Sequence, residues 1–375
     1  MSAVHGLDVS LRQDAPVSLD AQFRCASGEV LALVGPSGSG KSTILRTIAG
    51  ACRAARGTIT VNGETWFDSA RGLYLAPHSR AVGMVFQSYA LFPHMTALGN
   101  VMAGMGHLPA IAREAHARNL LELVRLSGLE RRRPAELSGG QQQRVAVARA
   151  LARAPKVLLL DEPFSAVDKV TRQRLYREIA ELRRGLNMPV VLVTHDLDEA
   201  TMLADRMTVL HRGRTLQTGR PEEVTNRPAS TEVARLVDLR NLFAGTIAGH
   251  GPKDRTVIDW VGVKIETTAR PEFALGQDVS WVVPDGFVVL HRRDRPSRGE
   301  HENPVPGTVE AVLAIGQTAH VTLRPGHAPD LPIRFSVPLH VARRNGLTAG
   351  VEAIVSLLAE GIHLLPAHAG PADGG

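Results

Sequence analysis

The sequence has few cysteines and few aromatic residues. Cys25 and Cys52 are the only cysteines among 375 residues, so we expect no disulfide framework, which fits a protein of the reducing cytosol. Aromatic residues make up only 4% of the chain, which disfavours the base-stacking platforms of proteins that bind single-stranded nucleic acids. The net charge of +6 comes mostly from scattered basic residues, and we therefore expect no nucleic-acid partner.

Long apolar runs are also missing. No segment approaches the roughly 20 apolar residues that a membrane helix requires. The first residues lack the basic-then-apolar pattern of a secretory signal. Hydrophobic residues nevertheless make up 44% of the chain, which is ample for folded cores, and the length favours about two domains.

The most informative segment is rich in glycine and lies between the apolar run Val30–Val34 and an apolar-periodic stretch over 44–49. It consists of Gly35, Pro36, Ser37, Gly38, Ser39, Gly40, Lys41, Ser42 and Thr43. Strand, G-x-x-x-x-G-K-S and helix in this order are typical of a loop that binds nucleotide phosphates. The glycines let the backbone approach the phosphates closely, and the helix N-terminus attracts anions. We expect Lys41 near the γ-phosphate and the Ser42 hydroxyl on Mg²⁺.

Two carboxylates end a second apolar run, Val157–Asp161. The carboxyl ends of strands are where ligands lie in open α/β sheets. Asp161 is therefore a candidate to hold Mg²⁺, directly or through water. Glu162 is a candidate to polarise the water that attacks the γ-phosphorus. A phosphate loop with such an acid pair still fits kinases, GTPases and many ATPases.

A second glycine-containing motif narrows these alternatives. It consists of Leu137, Ser138, Gly139, Gly140 and Gln141. Ser138 is a good N-cap, and the two glycines follow it at the start of a helix, which makes a second anion site. LSGGQ followed within ~25 residues by an apolar strand and DEP resembles the ABC ATPases. The resemblance covers residues 3 to 236.

The resemblance implies further site residues. Gln87 matches the Q-loop glutamine, which contacts nucleotide and metal, and His195 matches the switch histidine. Asp168 matches the D-loop aspartate, with Val167 where leucine is usual. In this family two nucleotide domains pack head to tail, so the signature residues of one copy contact ATP held by the other. The trans set would be Ser138, Gly139, Gly140, Gln141 and Asp168.

One departure from the family concerns the base. Residues 11–17, where an aromatic residue usually stacks on adenine, contain no aromatic residue. Aliphatic or arginine surface is the alternative, with Arg12 as one candidate.

The predicted fold class is α/β. Residues 1–236 are predicted to form a P-loop NTPase nucleotide-binding domain with an antiparallel β subdomain and a helical subdomain. Residues 237–375 resemble the OB-like, all-β regulatory modules of import ATPases, with short strands punctuated by Gly and Pro. We expect a helix over 167–185, a strand running from 81 to Gln87, and a loop over 292–304.

The predicted function is that of the ATP-hydrolysing subunit of an ABC importer, with ATP and Mg²⁺ as cofactors. Its expected partners are a second copy or a paralogue, an integral membrane permease and, indirectly, a periplasmic substrate-binding protein. The expected location is peripheral, on the cytoplasmic face of the inner membrane. Molybdate or sulfate is the expected cargo; iron(III), polyamines and sugars are alternatives. A soluble ABC ATPase of DNA repair or translation is the alternative from another class, and a small-molecule kinase is a third.

Overall fold

The computed structural model describes residues 6–106, 108–165, 172, 176, 187–251, 255–291 and 302–367. The chain divides into two units, Met1–Pro221 and Glu222–Gly375. The predicted domain boundary after residue 236 stays a prediction.

The first unit is built on one eleven-stranded sheet. Its strands are β1 (Gly6–Gln13), β2 (Leu19–Ala26), β3 (Val30–Val34), β4 (Arg56–Val61), β5 (Glu64–Asp68), β6 (Leu73–Tyr74), β7 (Val82–Val85), β8 (Val157–Asp161), β9 (Val190–Thr194), β10 (Arg206–His211) and β11 (Arg214–Gly219). The strand order is β6-β5-β4-β1-β2-β11-β10-β3-β9-β8-β7. The sheet is therefore antiparallel at one end and parallel from β10 to β7.

Helices cover this sheet. In the described part of the first unit they are α1 (Lys41–Ala49), α2 (Ala97–Ala103), α3 (Ala110–Leu123), α4 (Gly139–Leu151) and α5 (Leu197–Leu203). One buried apolar cluster joins α1 to the antiparallel strands, and another joins the helical region to β8 and β9. The unit thus contains the predicted antiparallel β subdomain and helical subdomain. In the described part of the chain, no helix is long and apolar enough to cross a membrane.

The parallel strands place the polar residues of interest at one edge. Every residue of β3, β8 and β9 is buried, as expected for strands covered on both faces. Asp161 is paired with Val193, and Val34 with Thr194. The three strands therefore end together beside the loop that follows β3.

Two predicted element bounds are wrong in their details. Strand β7 ends at Val85, so Gln87 lies two residues beyond the strand instead of at its end. Strand β17 (Glu302–Ile315) starts inside the segment predicted as a loop over 292–304. The predicted helix over 167–185 lies outside the described residues except for Arg172 and Tyr176.

The second unit is mainly β-structure. Its strands are β12 (Leu242–Gly251), β13 (Arg255–Trp260), β14 (Val263–Thr268), β15 (Asp278–Val282), β16 (Val288–Leu290), β17 (Glu302–Ile315), β18 (Thr318–Pro325), β19 (Ile333–Pro338), β20 (Glu352–Leu358) and β21 (His363–Pro366). They form two five-stranded antiparallel sheets, β14-β13-β12-β15-β21 and β16-β20-β17-β18-β19. Short helices α6 (Pro221–Asn226), α7 (Thr231–Leu236) and α8 (Leu339–Arg344) accompany them. Both sheets contribute to one buried cluster that contains Trp260 and Trp281, which is the barrel-like arrangement predicted.

Candidate nucleotide site

The glycine-rich loop turns tightly between β3 and α1. Gly35 has φ of 153°, and a Cβ built there would lie 2.0 Å from the carbonyl oxygen of Leu210. Gly40 caps α1 with φ of 91° and lies against the side chain of Leu19. Side chains at either position would clash or strain the backbone. The glycines are therefore needed to bring the loop against the sheet, while Pro36, Ser37 and Gly38 remain exposed.

Lys41 lies folded inside this loop. Its Nζ donates hydrogen bonds to the carbonyl oxygens of Gly35 and Pro36, at 2.7 and 2.8 Å. The side chain is buried, and burial lowers the pKa of the ammonium group, opposed by the charges of Glu162 and Asp161. A cation with only neutral protein partners in the loop is well suited to an anion such as a phosphate.

Ser42 and Asp161 meet at the first turn of α1. The Ser42 hydroxyl donates to Asp161 Oδ1 at 3.0 Å, although the two residues are 119 positions apart in sequence. Burial raises the pKa of Asp161, and the hydrogen bond from Ser42 opposes this change. The pair presents oxygen atoms of the kind that Mg²⁺ prefers, beside the loop expected to hold phosphates.

Glu162 contacts two other predicted site residues, His195 and Gln87. Its Oε1 lies 3.3 Å from Nδ1 of His195, and its Oε2 accepts a hydrogen bond from Nε2 of Gln87 at 3.4 Å. The Glu162 backbone has φ of 44° and its N–H donates to the Val193 carbonyl. A left-handed glutamate costs about 1 kcal/mol, and the contact with β9 holds it there. The structure thus brings the side chains of Gln87, Glu162 and His195 together.

The signature residues form a helix start elsewhere in the same unit. Ser138 Oγ accepts from the Gln141 N–H at 3.4 Å, and Gln141 Oε1 accepts from the Ser138 N–H at 2.9 Å. This reciprocal capping box fixes the N-terminus of α4. Ser138 and Gly139 are exposed, whereas Gly140 is buried. The predicted trans residue Asp168 lies outside the described residues.

Arg12, the candidate for a surface under the adenine base, is held by a carboxylate. It is exposed and pairs with Asp20 at 2.9 Å across β1 and β2. Leu19, which contacts Gly40, is buried on the other face of the same strands. Val17 is also close to Gly40, with 3.8 Å between its Cγ1 and a Cβ built on the glycine. Aliphatic surface is therefore nearer to the loop than the arginine.

Sequence reasoning missed the residues that shape the loop after Gln87. Asn100, which is fully buried on α2, accepts from the Phe92 N–H and donates to the carbonyl oxygens of Phe92 and Thr96. Arg149, on α4, donates to the carbonyl oxygens of Tyr89 and Ala90 at 2.8 and 2.7 Å. A polar residue inside an apolar helical stretch was the available signal, but its target depends on tertiary contacts.

Known proteins resemble this chain closely. The ABC transporter family profile matches residues 19–165. The sulfate/thiosulfate import ATP-binding protein CysA of Ralstonia nicotianae is 38% identical over 343 residues, covering 90% of this chain and 88% of that protein. The chain belongs to the ABC transporter family.

Other relatives of this ABC protein agree with that assignment. The spermidine/putrescine import ATP-binding protein PotA of Nitratidesulfovibrio vulgaris is 41% identical, with 82% of each chain covered. The solved structure of CbiO1 from Clostridium perfringens, described as part of the ABC transporter complex CbiONQ, is 29% identical with a TM-score of 0.53. The match covers 63% of this chain and 95% of that one. The predicted family, the P-loop fold class with its OB-like appendage, and the activity of an ATP-binding, ATP-hydrolysing transport protein are confirmed.

Proposed function

We propose that this ABC protein is the ATPase of an importer, and that an oxyanion such as sulfate or molybdate is its cargo. Relatives named for sulfate/thiosulfate import support the oxyanion and match up to 98% of the chain. Relatives named for polyamine import are equally similar, so spermidine is the main alternative, with iron(III) and sugars as weaker ones. The site described above is suited to nucleotide and not to cargo, so the choice of cargo depends on the named relatives.

The single observation that carries the catalytic proposal is the cluster around Glu162. Glu162 can accept a proton from a water molecule placed against the γ-phosphorus. His195 Nδ1 lies 3.3 Å from one of its carboxylate oxygens, and Gln87 Nε2 donates to the other at 3.4 Å. Lys41 neutralises phosphate charge from inside the loop. Hydrolysis then depends on positioning and charge stabilisation by residues already in place.

Magnesium fits the oxygen atoms present at this site. Ser42 Oγ and Asp161 Oδ1 are 3.0 Å apart and would be its protein ligands. Gln87, the third predicted ligand, donates a hydrogen bond to Glu162, the residue after Asp161. When bound, the ion would neutralise charge on the β- and γ-phosphate oxygens. Asp161 is partly protected from water, and its raised pKa reflects a buried carboxylate that a cation would stabilise.

A second copy of the chain, or a paralogue, completes the site in our proposal. Ser138, Gly139, Gly140 and Gln141 form a capped helix start suited to an anion, and Ser138 and Gly139 are its exposed residues. Together with Asp168, they would contact the ATP held by the partner's phosphate loop. ATP would thus join the two subunits, and hydrolysis would release them.

A groove beside the loop after Gln87 is our candidate docking surface for a membrane permease. Phe86 and Phe92 line it and are 42% and 43% exposed. Arg149 also lines the groove and lies 5.7 Å from the centre of the Phe92 ring. Apolar side chains at an exposed groove favour an apolar helix of a partner. The protein would then be peripheral, on the cytoplasmic face of the inner membrane, and would meet a periplasmic binding protein only through the permease.

Glu162→Gln tests the catalytic proposal. The amide keeps the size of the side chain and one acceptor oxygen but cannot take a proton, so we expect ATP affinity within twofold of the parent and turnover lowered about 10²–10⁴-fold. ATP should then hold a long-lived dimer, measurable by light scattering. Glu114→Gln, at an exposed carboxylate on α3, is the matched control. Near-parental phosphate release by Glu162→Gln contradicts the proposal. Formation of ADP by the parent only with an added acceptor, and without free phosphate, would favour a kinase.

A further inference from the structure

Two buried side chains lie directly beneath the turn that carries His195. The Thr194 hydroxyl donates to Glu199 Oε2 at 2.7 Å. Thr194 is 1% exposed and Glu199 is 4% exposed. We call these two residues the Thr194–Glu199 pair. Buried carboxyl groups are rare unless they are paired, because removing them from water is costly, so this placement requires an explanation.

The pair fixes the backbone on both sides of His195. Thr194 Oγ1 accepts a hydrogen bond from the Asp196 N–H at 3.0 Å, which closes a turn around the intervening histidine. A hydroxyl has a single proton, and Glu199 accepts it. The lone pairs of the Thr194 hydroxyl are thereby directed toward the Asp196 N–H. The carboxyl group of Glu199 therefore controls the hydrogen bond that closes the turn.

The same helix start is tied down a second time. Asp196 caps α5 by accepting from the Glu199 N–H at 3.1 Å. Its other carboxylate oxygen lies 3.5 Å from Arg172. Glu199 therefore contacts both neighbours of His195, Thr194 through its side chain and Asp196 through its backbone.

His195 itself has little packing to hold it. Its side chain is 60% exposed, and the contact with Glu162 at 3.3 Å is its bond to the catalytic cluster. A side chain that is mostly in water takes its position from the backbone beneath it. Small displacements matter here, because moving a catalytic group by ~1 Å can cost about 10²-fold in rate.

Building on the role proposed above for His195, we infer that Glu199 is a positioning residue for the hydrolytic step, acting through the Thr194 hydroxyl on the turn that presents His195 to Glu162. It contacts neither nucleotide nor attacking water. Its effect is on the rate of hydrolysis after ATP has bound.

The structure supplies matched variants. Glu199 Oε1 has no hydrogen-bond partner among the described residues, so the pair uses one oxygen, which a glutamine amide also provides. Glu199→Gln therefore retains the acceptor and Glu199→Ala removes it. Thr194→Ser retains the hydroxyl, whereas Thr194→Val replaces it with a methyl group of similar size.

The test measures kcat, KM and ATP affinity of the four full-length variants. We expect Glu199→Ala and Thr194→Val to lower kcat about tenfold or more, with KM and ATP affinity within about twofold of the parent. Glu199→Gln and Thr194→Ser should restore kcat to within about threefold of the parent. If the Thr194–Glu199 pair served only to stabilise the fold, kcat and ATP affinity would both fall in proportion to the loss of thermal stability. This result would overturn the inference. So would parental kcat in Glu199→Ala.

A double variant separates this inference from the proposed function. If Glu199 acts through His195, adding Glu199→Ala to His195→Ala should lower kcat by less than about twofold further, because the positioned group is already gone. A full additional loss would place Glu199 outside the His195 pathway and contradict the inference. Parental activity of His195→Ala alone would instead contradict the proposed role of His195.

Discussion

The buried carboxyl group of Glu199 makes a prediction about stability and pH. Burial raises the pKa of Glu199 to about 7 from an ordinary value of 4.5, although the hydrogen bond from Thr194 opposes the change. Because the pKa is higher in the folded protein than in the unfolded chain, folding favours the protonated form. The contribution to stability is complete below pH 4.5 and is lost as the pH rises through about 7.

The size of the effect follows from the two pKa values. Their difference corresponds to about 3 kcal/mol in the limit of high pH. Between pH 5 and pH 8 the expected loss is about 2 to 3 kcal/mol, since part of the titration lies below this range. Glutamine cannot ionise, so Glu199→Gln should lack this loss. Its stability relative to the parent should therefore rise by about 2 to 3 kcal/mol over the same interval.

Urea unfolding at several pH values measures this difference. Trp66 is fully buried in the first unit and is the only tryptophan there. Its fluorescence would report on that unit when Trp260 and Trp281 are replaced with Phe in both proteins. Any pH-independent change in the free energy of unfolding caused by the amide cancels, because only the change with pH is compared. A difference between parent and variant that varies by less than about 0.5 kcal/mol from pH 5 to pH 8 would refute the reasoning.

Three further predictions concern nucleotide, partner copy and permease. Lys41→Ala should weaken ATP binding at least about tenfold in a nucleotide titration, since a buried cation leaves the loop; unchanged affinity would exclude Lys41 from the site. Ser138→Arg should leave ATP affinity unchanged but lower turnover about tenfold or more by blocking dimer closure; unchanged cooperative hydrolysis would count against a trans site. Phe92→Asp should reduce co-purification with the permease about tenfold, whereas the exposed Ile111→Asp should not, and equal losses would disfavour the groove.

The central strands were predictable because their hydrophobic pattern is sufficient to identify them without tertiary contacts. The apolar run predicted over Val157–Asp161 matches the observed bounds of β8. Strands that are buried on both faces read as continuous apolar runs with clear ends. The motifs could also be placed at one edge, because carboxyl ends of parallel strands lie together. This is why Ser42 and Asp161, which are distant in sequence, were expected at one site.

The supporting contacts were not predictable in the same way. Asn100 and Arg149 donate hydrogen bonds to backbone carbonyl oxygens of the loop after Gln87. Backbone acceptors are present at every residue, so the side chains of that loop do not indicate these contacts. The Thr194–Glu199 pair needs both the end of β9 and the first turn of α5 to be placed. Strand β12 includes three glycines and weak alternation, so its position depends on pairing with β13 and β15. These contacts and strand positions depend on tertiary packing and not on the local sequence pattern.

Helix α4 connects the two surfaces on which the proposed transport cycle depends. Its N-terminus is the capped signature segment at Ser138, and its last turn carries Arg149. Arg149 holds the carbonyl oxygens of Tyr89 and Ala90, two residues with positive φ in the loop after Gln87. A helix of this length spans about 20 Å and is stiff. A permease segment that displaces the loop would therefore displace the signature end of the same helix, and with it the residues that we propose contact a partner's ATP.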